Sequence, residues 1–591
     1  MEYYYGIVFI IVAIFQEHIE GFVVSLTCSI VGFAGNYLTL YLVSKDYNFY
    51  YAIMLIDLGL VLVAVNILSC KLGKILFAAA TLSLLFVACG SSQKGSETST
   101  KIVDPVVYGQ TITQEDLKTS LYTFASDEFE GRETGAEGQK KAVNFLKEHY
   151  IKYGVPAAKS DGNYFQDVPL KVQSKPDVAL TINEKSLKNL EDFVSINPME
   201  TSKLKATEIV NLGYGIEDDK FSNYDNVDIK DKVVFFVSGE PKNSDGTYVI
   251  SGTKESSNWS NFRQEFALKR DLAEKKGAKA ILYYNPEVFA MAALRFGASS
   301  GRMTLAGNDK DMFYFLVNTE TTKAIFNEDV RTFDASFKNK IVKANLDLDF
   351  TNNSKDLSSE NVAAIIRGTE KPDEYIVVSA HLDHEGVKDG EVYNGADDDG
   401  SGTVAVLEIA EAFAKAKKDG HGPKRSIVFL NVTGEEKGLL GSQHYTDNDP
   451  IFPLANTVAN LNIDMIGRVD PKRKTGDRNY IYLIGSDKLS TELHNISEEV
   501  NTKYAKVELD YTYNDDNDPN RFYYRSDHYN FAKNNIPVIF YFNGTHDDYH
   551  RPSDTPDKIE YDLLENRTRL VFYTAWELAN RASRIIVDKA E

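Results

Sequence analysis

From Asn361 to the end of the chain, short apolar runs with a strand-like composition alternate with amphipathic helical runs. The strand-like runs read NVAAIIRG, YIVVSAHLD, SIVFLNVTG, TVANLNIDMIG and PVIFYFNG, and the clearest helical runs read GTVAVLEIAEAFAKAKK and DLLENRTRLVFYTAWELANRASRII. Strands that alternate with helices in this way build a sheet that helices cover on both faces. The pattern therefore predicts an α/β fold with a mixed, mostly parallel sheet sandwiched by helices.

The chain has 591 residues, which is too long for a single hydrophobic core. Residues 113–172 predict two amphipathic helices around the loop SDEFEGRETGAEG, and we assign them with residues 355–591 to one domain. Residues 173–354 differ: they combine the short β-type runs VVFFVSGE, AILYYNPE and MFYFLVNT with one helix near residues 261–276. This segment is predicted to be an inserted, β-rich domain.

Residues 1–88 form a hydrophobic leader, and residues 89–112 form a linker. Within the leader, Lys71 and Lys74 precede a short apolar run and then small residues that lead to Cys89. This order resembles a bacterial lipoprotein signal peptide with Cys89 as the lipidated residue, and it predicts a true start near Lys71. The competing interpretation is an anchor of two or three membrane helices. Both interpretations predict a membrane-anchored protein that faces an extracytoplasmic space.

Charge and cysteine usage narrow the chemistry of the folded part. The net charge of −21 argues against nucleic acid as a partner, because phosphate binding needs a basic face. All cysteines, Cys28, Cys70 and Cys89, lie in or directly after the leader. A metal site in the folded part would therefore have to use histidine, aspartate and glutamate.

Such residues collect where the predicted strands end. Ligands of α/β sheets bind beyond the carboxyl ends of the strands. The segments that deliver histidine or carboxylate to this edge contain His381 and Asp383, Asp397 to Asp399, Glu435 and Glu436, Asp464, and His546 and His550.

The run of three adjacent aspartates needs a compensating positive charge, because buried carboxylates are costly without one. A histidine and carboxylate mixture without cysteine suits a catalytic divalent metal, above all zinc. One metal would need about three of these side chains, and the set could also supply two metals that share a carboxylate. Of Glu435 and Glu436, one could bind metal while the other accepts a proton from water. Taken alone, the pair could also be a solvated helix start.

Five motifs together resemble a known family. They read HLDH…NGADDDGSG, TGEEKGLLGSQHY, NIDMIG, RSDHYNF and YHRPSDTPDKI. They are similar to the co-catalytic zinc peptidase family of bacterial leucyl aminopeptidases, glutamate carboxypeptidases and glutaminyl cyclases. The likeness covers residues 113–172 and the chain from Asn361 onward. The insert resembles the protease-associated domain that is often found within this family.

The resemblance implies two zinc ions and a role for each matching residue. One zinc would take His381 and Asp464, and the other would take Glu436 and His550. Asp398 would bridge both ions, with a cis peptide bond to Asp399. The catalytic residues would be Glu435 as general base, Asp383 as the residue that orients His381, and Tyr523 as a stabiliser of the oxyanion.

Other polar residues near the motifs are assigned supporting roles. We expect Asp397 to lie behind the ligands or in solvent, and His384 to lie on the loop surface. His546 competes with His550, but only His550 stands four residues before Asp-Thr, as the family pattern requires. Asp527 and His528 are expected to fix the loop that bears Tyr523.

The resemblance implies a zinc-dependent exopeptidase, with peptides as substrates. The main hypothesis is an aminopeptidase that hydrolyses N-terminal peptide bonds with a zinc-activated water. One alternative is a carboxypeptidase of the same family, with Arg525 as the first candidate to hold a free carboxylate. The other alternative is a non-catalytic receptor built on the same fold.

Overall fold

The computed structural model describes residues 103–589, except residues 197–198, 262–263, 298–300, 308–311, 328–339 and 475. The predicted leader, Cys89 and most of the linker lie outside the described residues. Residues Val103–Glu591 form one compact unit. Within the described part, every helix is too short or too polar to cross a bilayer.

The helices agree with the sequence pattern where it is strongest. Both helices predicted around SDEFEGRETGAEG are present, and the first of them is capped by Thr113, whose side chain accepts a hydrogen bond from the amide of Asp116. In chain order the helices are α1 Val106–Gly109, α2 Gln114–Phe124, α3 Glu137–Tyr153, α4 Glu265–Lys275, α5 Pro286–Gly297, α6 Thr319–Phe326, α7 Gly402–Lys418, α8 Leu440–Gln443, α9 Thr491–Val500, α10 His528–Ala532 and α11 Tyr561–Asn580.

Each strand predicted after Asn361 is also present. The strands are β1 Phe165–Val172, β2 Asp177–Ile182, β3 Lys185–Leu187, β4 Phe193–Ser195, β5 Ser202–Asn211, β6 Glu217–Asp218, β7 Phe221–Ser222, β8 Val233–Val237, β9 Ala280–Tyr284, β10 Met303–Leu305, β11 Phe313–Val317, β12 Lys340–Thr351, β13 Lys355–Ile366, β14 Lys371–His381, β15 Gly386–Lys388, β16 Glu391–Tyr393, β17 Arg425–Val432, β18 Thr457–Ile463, β19 Tyr480–Ile484, β20 Glu508–Asp510 and β21 Val538–Phe542.

The main sheet has nine strands in the order β10-β1-β13-β17-β14-β18-β21-β19-β20. Its four central strands, β17, β14, β18 and β21, run parallel to one another. Strands β13 and β19 flank this centre antiparallel, and β1 in turn pairs antiparallel with β13. The sheet is therefore mixed, and the parallel centre places the carboxyl ends of four strands at one edge.

Successive side chains of the central strands pack into two different hydrophobic cores. Ile376 and Val378 belong to the core that contains residues of α2, α3, α7 and α11. Val377, between them, belongs to the core on the opposite face, which contains Tyr445 and Phe531. The α/β fold with both faces covered is thus confirmed, because both side-chain sets of a central strand are buried.

The predicted insert contains a second sheet of eight strands, in the order β3-β2-β12-β5-β8-β9-β11-β4. This sheet also has apolar cores on both faces. The helix expected near residues 261–276 is α4. The likeness of this segment to a protease-associated domain stays a prediction.

Strand β10 lies within the insert by sequence but belongs to the main sheet. It pairs antiparallel with β1, where Leu170 is opposite Leu305 and Val172 is opposite Met303. Leu170, Leu305 and Met303 join a small cluster that includes Leu440, four residues after Glu436. The insert therefore supplies an edge strand to the sheet that carries the predicted site.

Candidate metal centre

The predicted ligands lie at the carboxyl ends of the parallel strands. Strand β14 ends at His381, β18 is followed directly by Asp464, and β17 leads within a few residues to Glu435 and Glu436. The loop after β21 carries His550. Because these strand ends share one edge of the sheet, residues far apart in the chain converge there.

The first half of the cluster surrounds His381, which is buried. Its Nε2 atom lies 3.2 Å from Asp398 Oδ1 and 3.7 Å from Asp464 Oδ1. The other ring nitrogen, Nδ1, lies 3.1 Å from the backbone carbonyl oxygen of Asp383. A carbonyl oxygen can only accept, so Nδ1 carries the proton and Nε2 presents a lone pair to the two carboxylates.

The second half of the cluster surrounds His550. Its Nε2 atom lies 3.1 Å from Asp398 Oδ2 and 3.2 Å from Glu436 Oε2. The two oxygens of Asp398 therefore face different histidines, one in each half. The peptide bond between Asp398 and Asp399 is cis, as the resemblance implies.

His384 is a correction to the sequence analysis, which placed it on the loop surface. It is fully buried, and its Nδ1 atom lies 2.8 Å from Glu436 Oε1 and 3.8 Å from Asp398 Oδ2. The close approach of Gly395 makes this position possible. Gly395 has φ +54°, and a Cβ atom there would lie 2.5 Å from the His384 ring and 2.2 Å from the carbonyl oxygen of Asp398.

The arrangement of these ring nitrogens and carboxylate oxygens is better suited to binding a cation than to hydrogen bonding among themselves. Several of them are buried close together without a hydrogen bond of acceptable geometry: His381 Nε2, His384 Nδ1, Asp398 Oδ2, Glu436 Oε1 and His550 Nε2. Among the described residues, three groups of side chains could hold an ion: His381, Glu435 and Asp464; His384, Asp398 and Glu436; and Glu385, Glu436 and His550. Because clustered, buried carboxylates repel one another, a divalent metal is the natural counter-charge, and nitrogen with oxygen ligands suits zinc.

Asp383 contacts Glu435 as well as His381, the residue that it was predicted to orient. Its carboxylate is 3.9 Å from His381 Nδ1, and it is the backbone carbonyl that holds the imidazole. The carboxylate oxygens instead accept hydrogen bonds from the Glu435 amide at 3.2 Å and from the Thr134 hydroxyl at 2.6 Å. Asp383 therefore positions both His381 and Glu435.

Glu435 lies beside the first half of the cluster, with Oε2 at 4.0 Å from His381 Nε2. Burial raises the pKa of its carboxyl well above the usual range. A carboxylate next to the ligands with a raised proton affinity can accept a proton from water there, which is the chemistry of a general base.

Tyr523 is buried beside Tyr524 and His528, with ring centroids 5.2 and 5.7 Å away. Sequence reasoning missed a second tyrosine, Tyr549, whose ring stacks on that of His550 at 3.9 Å. Burial raises the pKa of Tyr549, and so does the negative charge of the cluster, beginning with Asp398. The sequence signal that could have found Tyr549 is its position directly before His550. The predicted role of Tyr523 stays a prediction.

Asp397, Asp399 and Asp554 hold the aspartate run in place, and all are buried. Asp397 accepts hydrogen bonds from the Gly467 amide at 2.7 Å and from His546 Nε2 at 3.1 Å. His546 therefore faces Asp397, while His550 faces the cluster. Asp399 accepts from the amides of Gly402 and Met465, both at 3.0 Å. Both neighbours of Asp398 are thus turned into the fold.

Asp554 supports the same run from the loop after β21. One of its oxygens accepts hydrogen bonds from the amides of Asp397 and Asp398, at 3.0 and 3.2 Å. Burial raises the pKa of its carboxyl to about 6. The Asp-Thr pair that marks His550 in the sequence pattern therefore also fixes the backbone of Asp398.

Arg132 is a second residue whose role the sequence analysis did not predict, although it lies in the loop SDEFEGRETGAEG. Its guanidinium is fully buried and donates to the carbonyl oxygens of Phe124, Leu382, Asn394 and Gly395 at 2.7–3.1 Å. Burial lowers its pKa to about 10. Arg132 thereby ties the loop of His381 to the loop of Asp398.

Asp527 and His528 lie near the loop of Tyr523, and both are fully buried. Asp527 accepts a hydrogen bond of 2.5 Å from the Ser442 hydroxyl, and burial raises its pKa to about 7. His528 stacks on Phe540 at 4.6 Å, and burial lowers its pKa to about 3. A neutral, stacked histidine and an anchored carboxyl agree with the expected role in fixing the loop.

The geometry of the site defines a class of protein, and a family model matches the part of the chain that carries it. The site is a histidine and carboxylate centre at the carboxyl edge of an α/β sheet, which is the class of metal-dependent α/β enzymes. Residues 361–575 match the model of Peptidase family M28. This match covers every predicted ligand and Glu435.

Individual relatives match over shorter stretches. A probable glutamate carboxypeptidase of Arabidopsis thaliana is 36% identical over 105 residues, which are 18% of this chain and 14% of that protein. A probable zinc metalloprotease of Pyrenophora teres f. teres is 35% identical over 125 residues, which are 21% of this chain and 26% of that protein. The chain thus spans well under a third of either relative.

Among solved structures, an aminopeptidase from Aneurinibacillus sp. strain AM-1 aligns over 83% of this chain and 99% of that chain. Its sequence identity is 18% and its TM-score is 0.42.

Proposed function

We propose that the protein is a zinc-dependent exopeptidase with two zinc ions, and that its main activity is the hydrolysis of N-terminal peptide bonds. The observation that carries this proposal is the position of Asp398, whose two oxygens face His381 and His550 separately. A carboxylate whose two oxygens face different ligand groups can bridge two metal ions.

The residues divide into ligands and a base. His381, Asp398 and Asp464 would hold one ion, and Asp398, Glu436 and His550 the other. His384 lies close enough to Glu436 to orient it or to add a ligand. When bound, zinc lowers the pKa of a water and polarises the scissile carbonyl.

Glu435 would accept a proton from the attacking water and deliver it to the leaving amine. Its backbone amide is held by Asp383, so its carboxylate is placed by the same residue that fixes the imidazole of His381. Tyr523, and equally Tyr549 beside His550, would donate a hydrogen bond to the oxyanion.

The experiment is to measure the zinc content of the purified protein and its action on three matched peptides. One peptide has both termini free, one has an acetylated N-terminus, and one has an amidated C-terminus. We expect close to two zinc ions per chain and cleavage of the first and third peptides. Cleavage of the first and second only would assign carboxypeptidase activity, the activity named for the Arabidopsis relative. A zinc-free, folded and inactive protein would favour the receptor.

We further propose that the protein is a bacterial lipoprotein anchored through Cys89. The support is the Lys71 to Cys89 pattern of basic, apolar and small residues. Mass spectrometry of the mature protein would find a lipid-modified Cys89 at the N-terminus, and an unprocessed Met1 would contradict the proposal.

A further inference from the structure

A pocket of about 450 Å³, which we call the junction pocket, lies where the insert meets the main sheet. The insert lines it with the end of α5 and with strand β10, and the loop that directly follows Glu436 lines it with Lys437 and Gly438. Its volume is in the range of small-molecule pockets. The candidate metal ligands and Glu435 are all described residues, and none of them lines the pocket. The junction pocket is therefore separate from the metal centre, although it touches the same loop.

The floor of the junction pocket is apolar. Met199 and Phe350 belong to a core of the insert, and Leu305 and Leu440 belong to the small cluster that joins β10 to the main sheet. All four side chains are buried and line the pocket. The floor thus offers a hydrocarbon group a surface on which it can leave water.

The charged side chains in the lining are all cationic, as far as the structure describes it. They are Lys175, Arg295, Arg302 and Lys437. Lys437 lies 3.4 Å from Glu133, whereas the other three are exposed and have no carboxylate partner among the described residues. The chain as a whole has 86 acidic and 65 basic residues, so this lining departs from the charge of the chain. The pocket therefore favours an anion.

Helix α5 places apolar and cationic side chains together at the edge of the pocket. Met291 is 59% exposed and lies four residues before Arg295, so the two side chains share a face of the helix. Phe296 also lines the pocket, and the guanidinium of Arg295 lies 5.9 Å from the centroid of its ring. An arginine beside an aromatic ring keeps its edge available for hydrogen bonds to an anion.

We propose that the junction pocket binds a single-chain amphiphilic anion. Its hydrocarbon chain would pack on the apolar floor, and its head group would bind Lys175, Arg295 and Arg302. A small anion alone would leave the floor in water, and a neutral hydrocarbon would leave the cations unpaired. Two sources share the required chemistry: a free fatty acid and a lysophospholipid with an anionic head group. The inference goes beyond the proposed peptidase activity and does not depend on it.

The test measures binding by titration calorimetry, without reference to turnover. The protein is taken from Val103 onward, where its compact unit begins, so that the apolar leader does not bind the probe. Decanoate and decanoyl lysophosphatidylglycerol, both below their micelle concentrations, are the two probes, and the tighter one identifies the source. Pentanoate and decan-1-ol are the matched controls. We expect both controls to bind about ten-fold or more weakly than the better probe, because pentanoate buries half of the chain and decan-1-ol carries no charge.

Variants connect this binding to the junction pocket. Arg295→Gln and Arg302→Gln should each weaken binding of the preferred probe several-fold, because each removes a charged donor to the head group. Arg367→Gln is the matched control and should leave the affinity unchanged. Arg367 is likewise an exposed arginine beside an aromatic ring, 5.2 Å from the centroid of Phe452, but it lies outside the pocket lining.

The outcomes that would overturn the inference are distinct. Binding of neither probe would overturn it, and so would equal affinity for decanoate and decan-1-ol, which would show that the cations take no part. An affinity that survives both arginine variants would place the ligand elsewhere. If an acetylated dipeptide that ends in leucine binds as tightly as either probe and loses affinity in the same variants, the pocket takes peptide instead. Failure of the proposed function would appear in the cleavage assay and would leave the calorimetry unaffected.

Discussion

The backbone amide of Glu435 donates a hydrogen bond to the carboxylate of Asp383, 3.2 Å away. The same aspartate holds His381 through its backbone carbonyl. Asp383 thus holds both the candidate base Glu435 and the candidate ligand His381 in position.

Glu435 and Glu436 are adjacent but should respond differently to the same substitution. Glu435→Gln should keep the zinc content and lower kcat by about 10²- to 10⁴-fold, because it removes a general base. Glu436→Gln is the matched variant and should lose zinc, because Glu436 faces His384 and His550. Zinc analysis together with steady-state kinetics checks both. Full turnover in Glu435→Gln would exclude its role as base.

His384 should contribute to zinc affinity although it was not predicted as a ligand. His384→Ala should weaken zinc binding by about 10- to 100-fold, whether His384 orients Glu436 or binds metal itself. Competition with a chromophoric chelator measures this affinity without reference to turnover. His421→Ala removes an exposed imidazole and should leave the affinity unchanged.

Arg132 should matter for stability with or without metal. Arg132→Met would leave four buried carbonyl groups without their donor, and we expect a loss of about 3 kcal/mol or more in the free energy of unfolding. Urea denaturation with zinc and with chelator measures the loss. Arg295→Met, on an exposed side chain, is the control. A loss seen only with zinc would show that Arg132 acts through the metal site alone.

Glu408 should make stability depend on pH. It is 1% exposed in α7, and burial raises the pKa of its carboxyl to about 8. The charges that act on it come from Glu411, Asp116, Lys415 and Lys152, and neither carboxylate oxygen has a hydrogen-bond partner among the described residues. Between the ordinary glutamate pKa and about 8, the folded chain keeps a proton that the unfolded chain has released. This contribution therefore lowers the free energy of unfolding as pH rises through that window.

Glu408→Gln removes this ionisation. The variant should gain stability relative to the parent between pH 5 and pH 8.5, by more than about 1.4 kcal/mol, which is the value of one pKa unit. Denaturation at the two pH values measures the gain, with exposed Glu148→Gln as control. Parallel curves for parent and Glu408→Gln would contradict the prediction.

The sequence was most informative where an apolar strand-like run ends in histidine or carboxylate residues. His381, Asp464 and the two adjacent glutamates could be placed because an α/β sheet gathers its carboxyl strand ends at one edge. The closeness of Asp398 and His550, 3.1 Å between Oδ2 and Nε2, was implied by the family resemblance, which makes both of them ligands. Strand ends and the family resemblance together therefore indicated the edge of the sheet that carries the centre and the residues that face it, apart from His384 and Tyr549.

Side chains that act through backbone groups could not be found in this way. Arg132 bonds only to carbonyl oxygens, and any residue supplies a carbonyl, so no partner residue marks it in the sequence. His384 was misplaced because a histidine after a ligand loop is ordinarily exposed, and its burial depends on the room that Gly395 leaves. Strand β20, with the sequence ELD, lacks the apolar run by which strands are recognised.

Pairing between β10 and β1 has a consequence for the evolution and engineering of this chain. The inserted segment closes a hydrogen-bonding edge that would otherwise be open to other molecules. A shortened protein without residues 173–354 would expose that strand, and it should aggregate in a light-scattering assay unless the bare edge is blocked by lysine or proline.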